Sequence, residues 1–422
     1  MSISTAFNRA FSKRMSVADL DRVMDMMIGG GPETWSGNKV DEGSALGNPT
    51  VWACTRVISE AYASMPMHMY RRMADGGKEI ARSHYLYPVL HDQANPELTA
   101  FNYRELAQAH LCIWGNHYSL IEWDQAQRVK ALWPLPPDRV RVKRETVTAQ
   151  RTYEYRQNNG QWEPISREYM FHVPGLGYDG VRGYSPVAMQ RQTLAAGNAV
   201  MEFGARFFGN GVRSSGFLEH PTTLTKESSE RLVKSFQEKY AGLSNSHRVI
   251  LLEGGLKFTP NSINPEDAQF LETRKYSRSE IAGMFRVPAH MVGDLEKATF
   301  SNIEQQSLEF VTFTLVPWMA RWEAAIESEL LTTQGRAQYF VEIDANGLMR
   351  GDAASRSTFY QMGINAGWMK PNEARQKENL NTEPAGEVYF RPLNTSFVTP
   401  DGMQAQTIAA PSKELAPTGG AV

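Results

Sequence analysis

The sequence predicts an α+β chain of two or three compact units, and three observations carry that expectation. The 422 residues exceed what one simple core encloses. Long stretches with apolar residues at helical spacing begin at good capping residues and stop at glycine or proline. Between residues 67 and 174 run short, alternating, strand-like pieces separated by turn residues, the pattern of an antiparallel sheet. With 41% hydrophobic and 21% charged residues, most of the chain has the makings of a globular fold.

Taken in order, residues 1–47 read as a flexible N-terminal arm. A short amphipathic helix after Ser16 is broken by "GGGPETWSGN". Order is expected from Asn48, a good N-cap, with Pro49 at the first helical position. Val51, Trp52, Val57, Ile58 and Ala61 form the expected apolar face, and Pro66 ends the helix. "MHMYRR" alternates like a strand. A second helix starts behind the Thr99 cap, and "HYSLIEWD", "VKALWPL", "RVRVKR", "TYEYRQ" and "EYMFHV" follow as strands. The glycine-rich "GLGYDGVRGYSP" leads into a helix over 185–208, capped by Ser185, started by Pro186 and stopped by Gly209 to Gly211. A compact insert, 212–265, carries a strand "SGFLEH", a helix "TKESSERLVKSFQEKYAG" and a strand pair "RVILLEG" and "LKFTP". A helix over about 266–287 ends at Pro288 and Gly293. The loop "DLEKATFSNI" then leads to a helix from about Asn302, capped by Ser301 or Asn302, to Leu331. Its stripe of Ile303, Phe310, Val311, Leu315, Trp318, Met319, Trp322, Ile326 and Leu330 faces a core. Pro317 inside it predicts a kink, because an interior proline removes one hydrogen bond. A strand "AQYFVEID" and two short helices close the ordered part, and residues 399–422 read as a disordered tail.

The bulk properties exclude several classes. Lys+Arg 44 against Asp+Glu 46 gives a net charge of −2, without the basic excess of a protein that grips nucleic acid tightly. No apolar run reaches the ~18 residues of a membrane span. The N-terminus lacks an apolar signal core, so a cytosolic chain is expected. Cys54 and Cys112 form no C-x-x-C pair and read as buried thiols. The sequence holds no phosphate loop, no H-E-x-x-H and no nucleophile elbow. "GLGYDG" lacks the spacing of a dinucleotide site. His110 and His117 are poorly spaced for a metal and read as polar packing residues. Glu266 with Asp267, and Asp344 with Asp352, are explained by solvated faces and loop caps. No cofactor, metal or catalytic residue is expected, and the chain is not read as an enzyme.

Architecture carries more. Two long helices bracket a small insert, and a third returns toward the first unit. "NPTVWACTRVISEAYASMPMHMYRR", "GYSPVAMQRQTLAAGNAVMEFGARFFGNGVRSSGFLEHP" and "DAQFLETRKYSRSEIAGMFRVPAHMVGDLEKATFSNIEQQSLEFVTFTLVPWMARWEAAIESELL" resemble, in that order, the opening wing, first stem and second stem–tunnel–wing regions of the portal proteins of tailed double-stranded DNA bacteriophages, in the siphophage and prophage branch. The likeness runs over about residues 45–395.

The resemblance implies a portal fold assembled as a ring. Its parts would be a wing over 48–184 and 303–350, stem helices over 185–211 and 266–288, a clip over 212–265, a tunnel loop over 289–302 and a crown with an extended segment over 351–398. It implies a homo-oligomer, typically of twelve copies, whose channel passes double-stranded DNA, with large terminase, head-completion or connector proteins and the major capsid or scaffold protein as partners, and no membrane. The loop residues facing DNA would be Asp294, Leu295, Glu296, Lys297, Ala298, Thr299, Phe300, Ser301 and Asn302. Lys297 is either a transient phosphate contact or a solubilising residue. Glu272, Arg274, Lys275 and Arg278 on the second stem helix, next to Glu280, either meet DNA or form ion pairs between subunits. Another head–tail connector or capsid-associated protein is the alternative, and a metal-dependent nuclease or hydrolase the more distant one.

Overall fold

The computed structural model describes residues 34–146, 148–177, 179–209, 216–240, 255–260, 267–295, 300–345, 353–378 and 380–390. The chain divides into two units, residues 1–348 and 349–422.

The first unit begins earlier than the sequence led us to expect. Within residues 34–47, Val40 and Ala45 are buried while Trp35 is 93% exposed. Asp41 caps α1 (Glu42–Ala45) by accepting from the Ser44 amide at 2.7 Å. Val40 and Ala45 on either side are buried in the main core, which explains why this stretch is ordered. The rest of the expected arm, 1–33, lies outside the described residues. Asn48 caps α2 (Pro49–Ser64), its side-chain oxygen accepting from Thr50 and Val51. The buried face of α2 is Val51, Cys54, Thr55, Ile58 and Tyr62. Trp52, expected inward, is 51% exposed, because the i, i+3, i+4 row through Val51 leaves its neighbour one hundred degrees away.

Strand β1 (Met67–Arg72) is followed by β2 (Lys78–Ile80), α3 (Leu86–His91), α4 (Ala100–Trp114), β3 (Asn116–Trp123), β4 (Val129–Leu135), β5 (Val140–Lys143), β6 (Thr152–Arg156), β7 (Trp162–Ile165) and β8 (Met170–Pro174). These make no single sheet. They form three small antiparallel ones: β4-β3-β8, β5-β6-β7, and β1 with β2 on one edge. The other edge of β1 is taken by residues Tyr339–Ile343, from late in the unit's sequence.

Asn116 and a set of glycines fix where the chain leaves this layer. Gly115 has φ +68°, and a Cβ there would lie 1.7 Å from the Tyr184 carbonyl oxygen. The Gly175 amide donates to the Gly115 carbonyl at 2.8 Å. Asn116 accepts from the Gly183 amide and donates to its carbonyl. The glycine-rich stretch is thus a backbone-to-backbone contact. Ser185 donates to the Ile113 carbonyl and caps α5 (Pro186–Met189). The expected continuous helix is broken at Gln190, which adopts φ −108°, ψ 23°; α5 is held against α1 and α4 before α6 (Arg191–Gly209) leaves.

In the insert, β9 (Gly216–Glu219) pairs antiparallel with β10 (Lys257–Pro260), and α7 (Lys226–Tyr240) lies between them in sequence. The other expected strand, "RVILLEG", lies outside the described residues. After α8 (Asp267–Met284) comes a 3-10 turn, Ala289–Val292, then α9 (Phe300–Glu309), a π-helical turn (Phe310–Leu315) and α10 (Val316–Leu330). The short α11 (Thr333–Gln338), absent from the sequence reading, precedes β11 (Tyr339–Ile343).

The core sits between α2, α4, β3, β8 and α10. Trp322 at its centre stacks on Tyr62 at 5.5 Å and donates from Nε1 to Gln108 at 3.0 Å. Cys54 and Cys112 are buried, free thiols, and burial pushes both up to about 12. His110 and His117 do meet, Nδ1 to Nδ1 at 3.2 Å, and His117 is held by Tyr103 and Ser119. Among the described residues no cluster of three metal-ligating side chains occurs, and no helix is long and apolar enough to cross a membrane.

The second unit holds α12 (Ala353–Asn365) and α13 (Pro371–Lys377). Buried Asn372 ties it together, donating to the Glu383 carbonyl and the Glu387 carboxylate at 2.7 Å each and accepting from the Glu383 amide. Residues 391–422, including the expected tail, lie outside the described residues.

Candidate functional site

The junction of α6, α8 and α2 is where the long helices are fixed to the core. Gly197 lies where α6 crosses α8. A Cβ built there would come 2.7 Å from Ser277 Oγ and 3.3 Å from Ile281 Cδ1, so only a glycine lets the helices approach this closely. Asn48 reaches from the cap of α2 and donates to Asn198 at 2.9 Å. Leu194 and Ala195 on α6, with Ile281 and Ala282 on α8, carry the apolar contact into the core.

Beyond Met284 the chain turns sharply. Arg286 holds φ +55°, a strained value for a residue with a side chain. Its carbonyl accepts from Thr314 Oγ1 at 2.7 Å, and its guanidinium donates to the Phe313 carbonyl at 3.4 Å. The second bond lies just before Pro317, which has no N–H to give to the preceding turn. The expected kink at Pro317 appears as the π-helical turn just before it, which places Pro317 in the first turn of α10, where a missing N–H matters little. Arg321, half-buried, has its pKa lowered by burial and then by the nearby Arg286 charge.

The loop is pinned at both ends. Gly293 closes the 3-10 turn at φ +85°, and the Asp294 amide donates to the Ala289 carbonyl. His290 Nδ1 lies 2.8 Å from Gln306 Oε1 across the loop. Of the nine residues singled out by the sequence, Asp294 is half-buried and Leu295 is 65% exposed. Glu296, Lys297, Ala298 and Thr299 lie outside the described residues. Phe300, Ser301 and Asn302 belong to the first turn of α9, not to the loop. The helix starts two residues before the expected position, since no glycine or proline interrupts Phe300–Asn302 and serine and asparagine are tolerated in a first turn.

The charged group on α8 splits in two. Arg274 and Arg278, one turn apart, line a cleft of about 260 Å³ together with Asn48, Thr50, Ser277 and Gly293. Glu272, Lys275 and Glu280 are exposed and are not among the residues lining this cleft. Sequence reasoning missed Gly197, Arg286, Thr314 and the His290–Gln306 clasp. A glycine inside a helical pattern is a legible sign of close helix approach. The missing N–H of Pro317 was also legible, but the Arg286 contact beside it was not.

Three comparisons place this geometry. Residues 49–379 match the family described as phage portal protein. The portal protein of Enterobacteria phage HK97 is 33% identical over 346 residues, 81% of each chain. A probable portal protein of Streptomyces phage phiC31 is 28% identical over 378 residues, 86% of this chain and 81% of the relative. Among solved structures, a chain from the neck of a native gene transfer agent particle, computed with C12 symmetry, shares the fold with a TM-score of 0.55 at 23% identity, covering 86% of this chain and 99% of that one.

Proposed function

This chain belongs to the phage portal protein family, and we propose that it assembles as a closed ring of twelve copies at one capsid vertex, with double-stranded DNA passing through the central channel during packaging and ejection. The sequence relation to the HK97 portal protein over most of both chains is the observation that carries the reading. The twelve-fold symmetry with which the gene transfer agent neck was computed supports the subunit number.

In this ring α6 and α8 belong to the stem, and 289–302 is the tunnel loop, with His290 meeting Gln306 on α9. Residues 48–184 and 303–350 are the wing, 212–265 the clip that docks the large terminase and later the head-completion proteins, and 351–398 the crown with its extended segment. The major capsid or scaffold protein meets the ring at the vertex. The ring forms in the host cytoplasm and remains in the virion. No catalytic role is part of the proposal.

The chemistry of a channel supports these assignments. Every stretch of genome must pass, so the wall must neither read sequence nor bind tightly. DNA carries one negative charge per about 1.7 Å of axis, and a chain of net charge −2 supplies no general adhesive surface. Lys297, repeated around the ring, gives one weak phosphate contact per subunit. Arg274 and Arg278 line a cleft within the subunit, and the exposed Glu272 is the group proposed to meet a neighbouring stem.

Negative-stain class averages and light scattering of the purified protein test the ring. Closed rings with a central hole and about twelve-fold symmetry are expected. Compact monomers or dimers at high concentration across salt conditions, with capsid or scaffold partner present, would sink the reading. In rings so obtained, Lys297→Ala is expected to leave ring mass unchanged and alter the packaging rate; an unaltered rate removes Lys297 from the DNA path.

A further inference from the structure

The sheet β5-β6-β7 has one face explained by packing and one that is not. Val140, Val142, Tyr153 and Ile165 point inward, against Tyr118 and Met170. Side chains alternate along a strand, so Arg141, Lys143, Glu154, Arg156, Trp162 and Pro164 occupy the outward face. Arg156 is paired directly opposite Trp162, and Arg141 opposite Glu154. A tryptophan on the outward face of a small sheet, on its edge strand, contributes nothing to the core.

It is instead set among guanidinium groups. The Arg141 guanidinium lies 3.8 Å from the centroid of the Trp162 ring, and that of Arg156 lies at 5.9 Å. Arg139 joins them through a 2.7 Å bond to Asn158, and the three arginines, Trp162 and Asn158 line an open cleft of about 370 Å³. The one carboxylate on this face, Glu154, is taken by Lys143 at 2.6 Å. Among the described residues none of the three arginines has a carboxylate partner. Three unneutralised guanidinium forks around a half-buried indole are a binding surface in chemistry, on a chain whose overall charge is slightly negative.

We propose that the Arg139–Arg141–Arg156–Trp162 face docks an acidic peptide segment of a partner protein, one with an aromatic or alkyl side chain beside its carboxylates. The forks accept carboxylates two oxygens at a time, and the indole takes the neighbouring apolar group. Duplex DNA fits less well. It is a uniformly charged rod, and the exposed Asp138 beside Arg139 puts a carboxylate next to the face, where a rod cannot avoid it and a peptide can. The assignment does not depend on the ring or on the channel.

The test uses the full-length protein and three fluorescein-labelled probes: a peptide of repeating Glu-Glu-Phe, the same peptide with lysine for glutamate, and a short DNA duplex. The acidic peptide is expected to bind, the lysine peptide not to, and the duplex to compete weakly at physiological salt. Arg141→Gln with Arg156→Gln should weaken acidic-peptide binding by about tenfold or more. Trp162→Leu, which keeps an apolar side chain, should weaken it by a smaller factor. Circular dichroism confirms that each variant is folded, and Arg139→Gln, outside the strands, is a third variant that leaves the sheet intact. Tighter binding of the duplex than of the acidic peptide, lost in the same variants, would make the face a nucleic-acid surface and overturn the proposal. Acidic-peptide affinity unchanged in all three folded variants would overturn it equally.

Discussion

Trp322 and Tyr276 illustrate two ways of building a helix into the same unit. Trp322 on α10 is 1% exposed, stacked on Tyr62 and bonded to Gln108. Tyr276 on α8 is 67% exposed, between the exposed Lys275 and the half-buried Ser277. Helix α10 is satisfied within one chain. Helix α8 packs on its own chain through Ser277, Ile281 and Ala282, and its described residues from Glu272 to Tyr276 are exposed. The region around Trp322 is packed within one chain, whereas the described start of α8, Glu272 to Tyr276, is exposed. This division accords with the proposed ring.

Four changes break or sharpen the contrast. Trp322→Ala removes the centre of the complete region and should cost about 3–5 kcal/mol, read as a drop in the urea midpoint, with loss of soluble protein at the upper end. A loss below about 1 kcal/mol would mean that the core is not organised around this ring.

Acid should attack the same region. Burial holds His110 down at about 4 and His172 at about 3, and His117 well below the usual range, with neighbouring His110 and His172 adding to the effect. For each, the folded pKa is depressed, so below pH 6.5 the unfolded chain binds more protons. Stability is complete above about pH 6.5 and falls as pH drops toward 4, by up to about 3 kcal/mol for His110. Glu329 and Glu323, raised by burial, act in the opposite sense and offset part of the loss. Urea midpoints measured down to about pH 4.5 should decline, and His110→Gln should flatten the decline. A midpoint that rises on acidification contradicts this account.

Gly197→Val tests the helix junction. The new side chain meets Ser277 and Ile281 and should cost about 1–3 kcal/mol, with loss of assembled rings before loss of the Trp322 core. Ser277→Gly in the same chain should restore part of the loss. If rings survive Gly197→Val unchanged, the α6–α8 crossing is not what sets the stem.

The smallest effect is expected at the turn. Thr314→Val removes the bond to the Arg286 carbonyl and should cost about 1 kcal/mol. Arg286→Gly relieves the positive φ but loses the donor to Phe313, so it should be less damaging than Arg286→Ala by about 1 kcal/mol. Equal melting temperatures for the two would show that the turn is not strained.

Much of the candidate site was legible before the fold was known. The loop's sequence position, the two long helices and the insert between them follow from caps, breakers and apolar spacing. Their clasping was not. His290 and Gln306 lie sixteen residues apart, across a segment whose geometry no local rule sets. The split of Arg274 and Arg278 from Glu272 and Lys275 depends on where α2 and α6 lie against α8, which the i, i+4 rule cannot supply.

The sequence by itself determined the features that a few neighbouring residues control. Asn48 with Pro49, Thr99, and Ser185 with Pro186 start helices because each cap satisfies amides within three residues. The portal relationship also rests on sequence alone. Tertiary structure decided everything that joins distant segments. It placed β11 beside β1, Met67 opposite Ile343, it buried Val40 and Ala45 before α2, and it set a π-helical turn ahead of Pro317 with the Arg286 guanidinium on the Phe313 carbonyl. The physical reason is common to all three. A cap's hydrogen bond closes within one turn, whereas a strand partner, a buried methyl or a remote guanidinium is chosen by which surfaces leave water together.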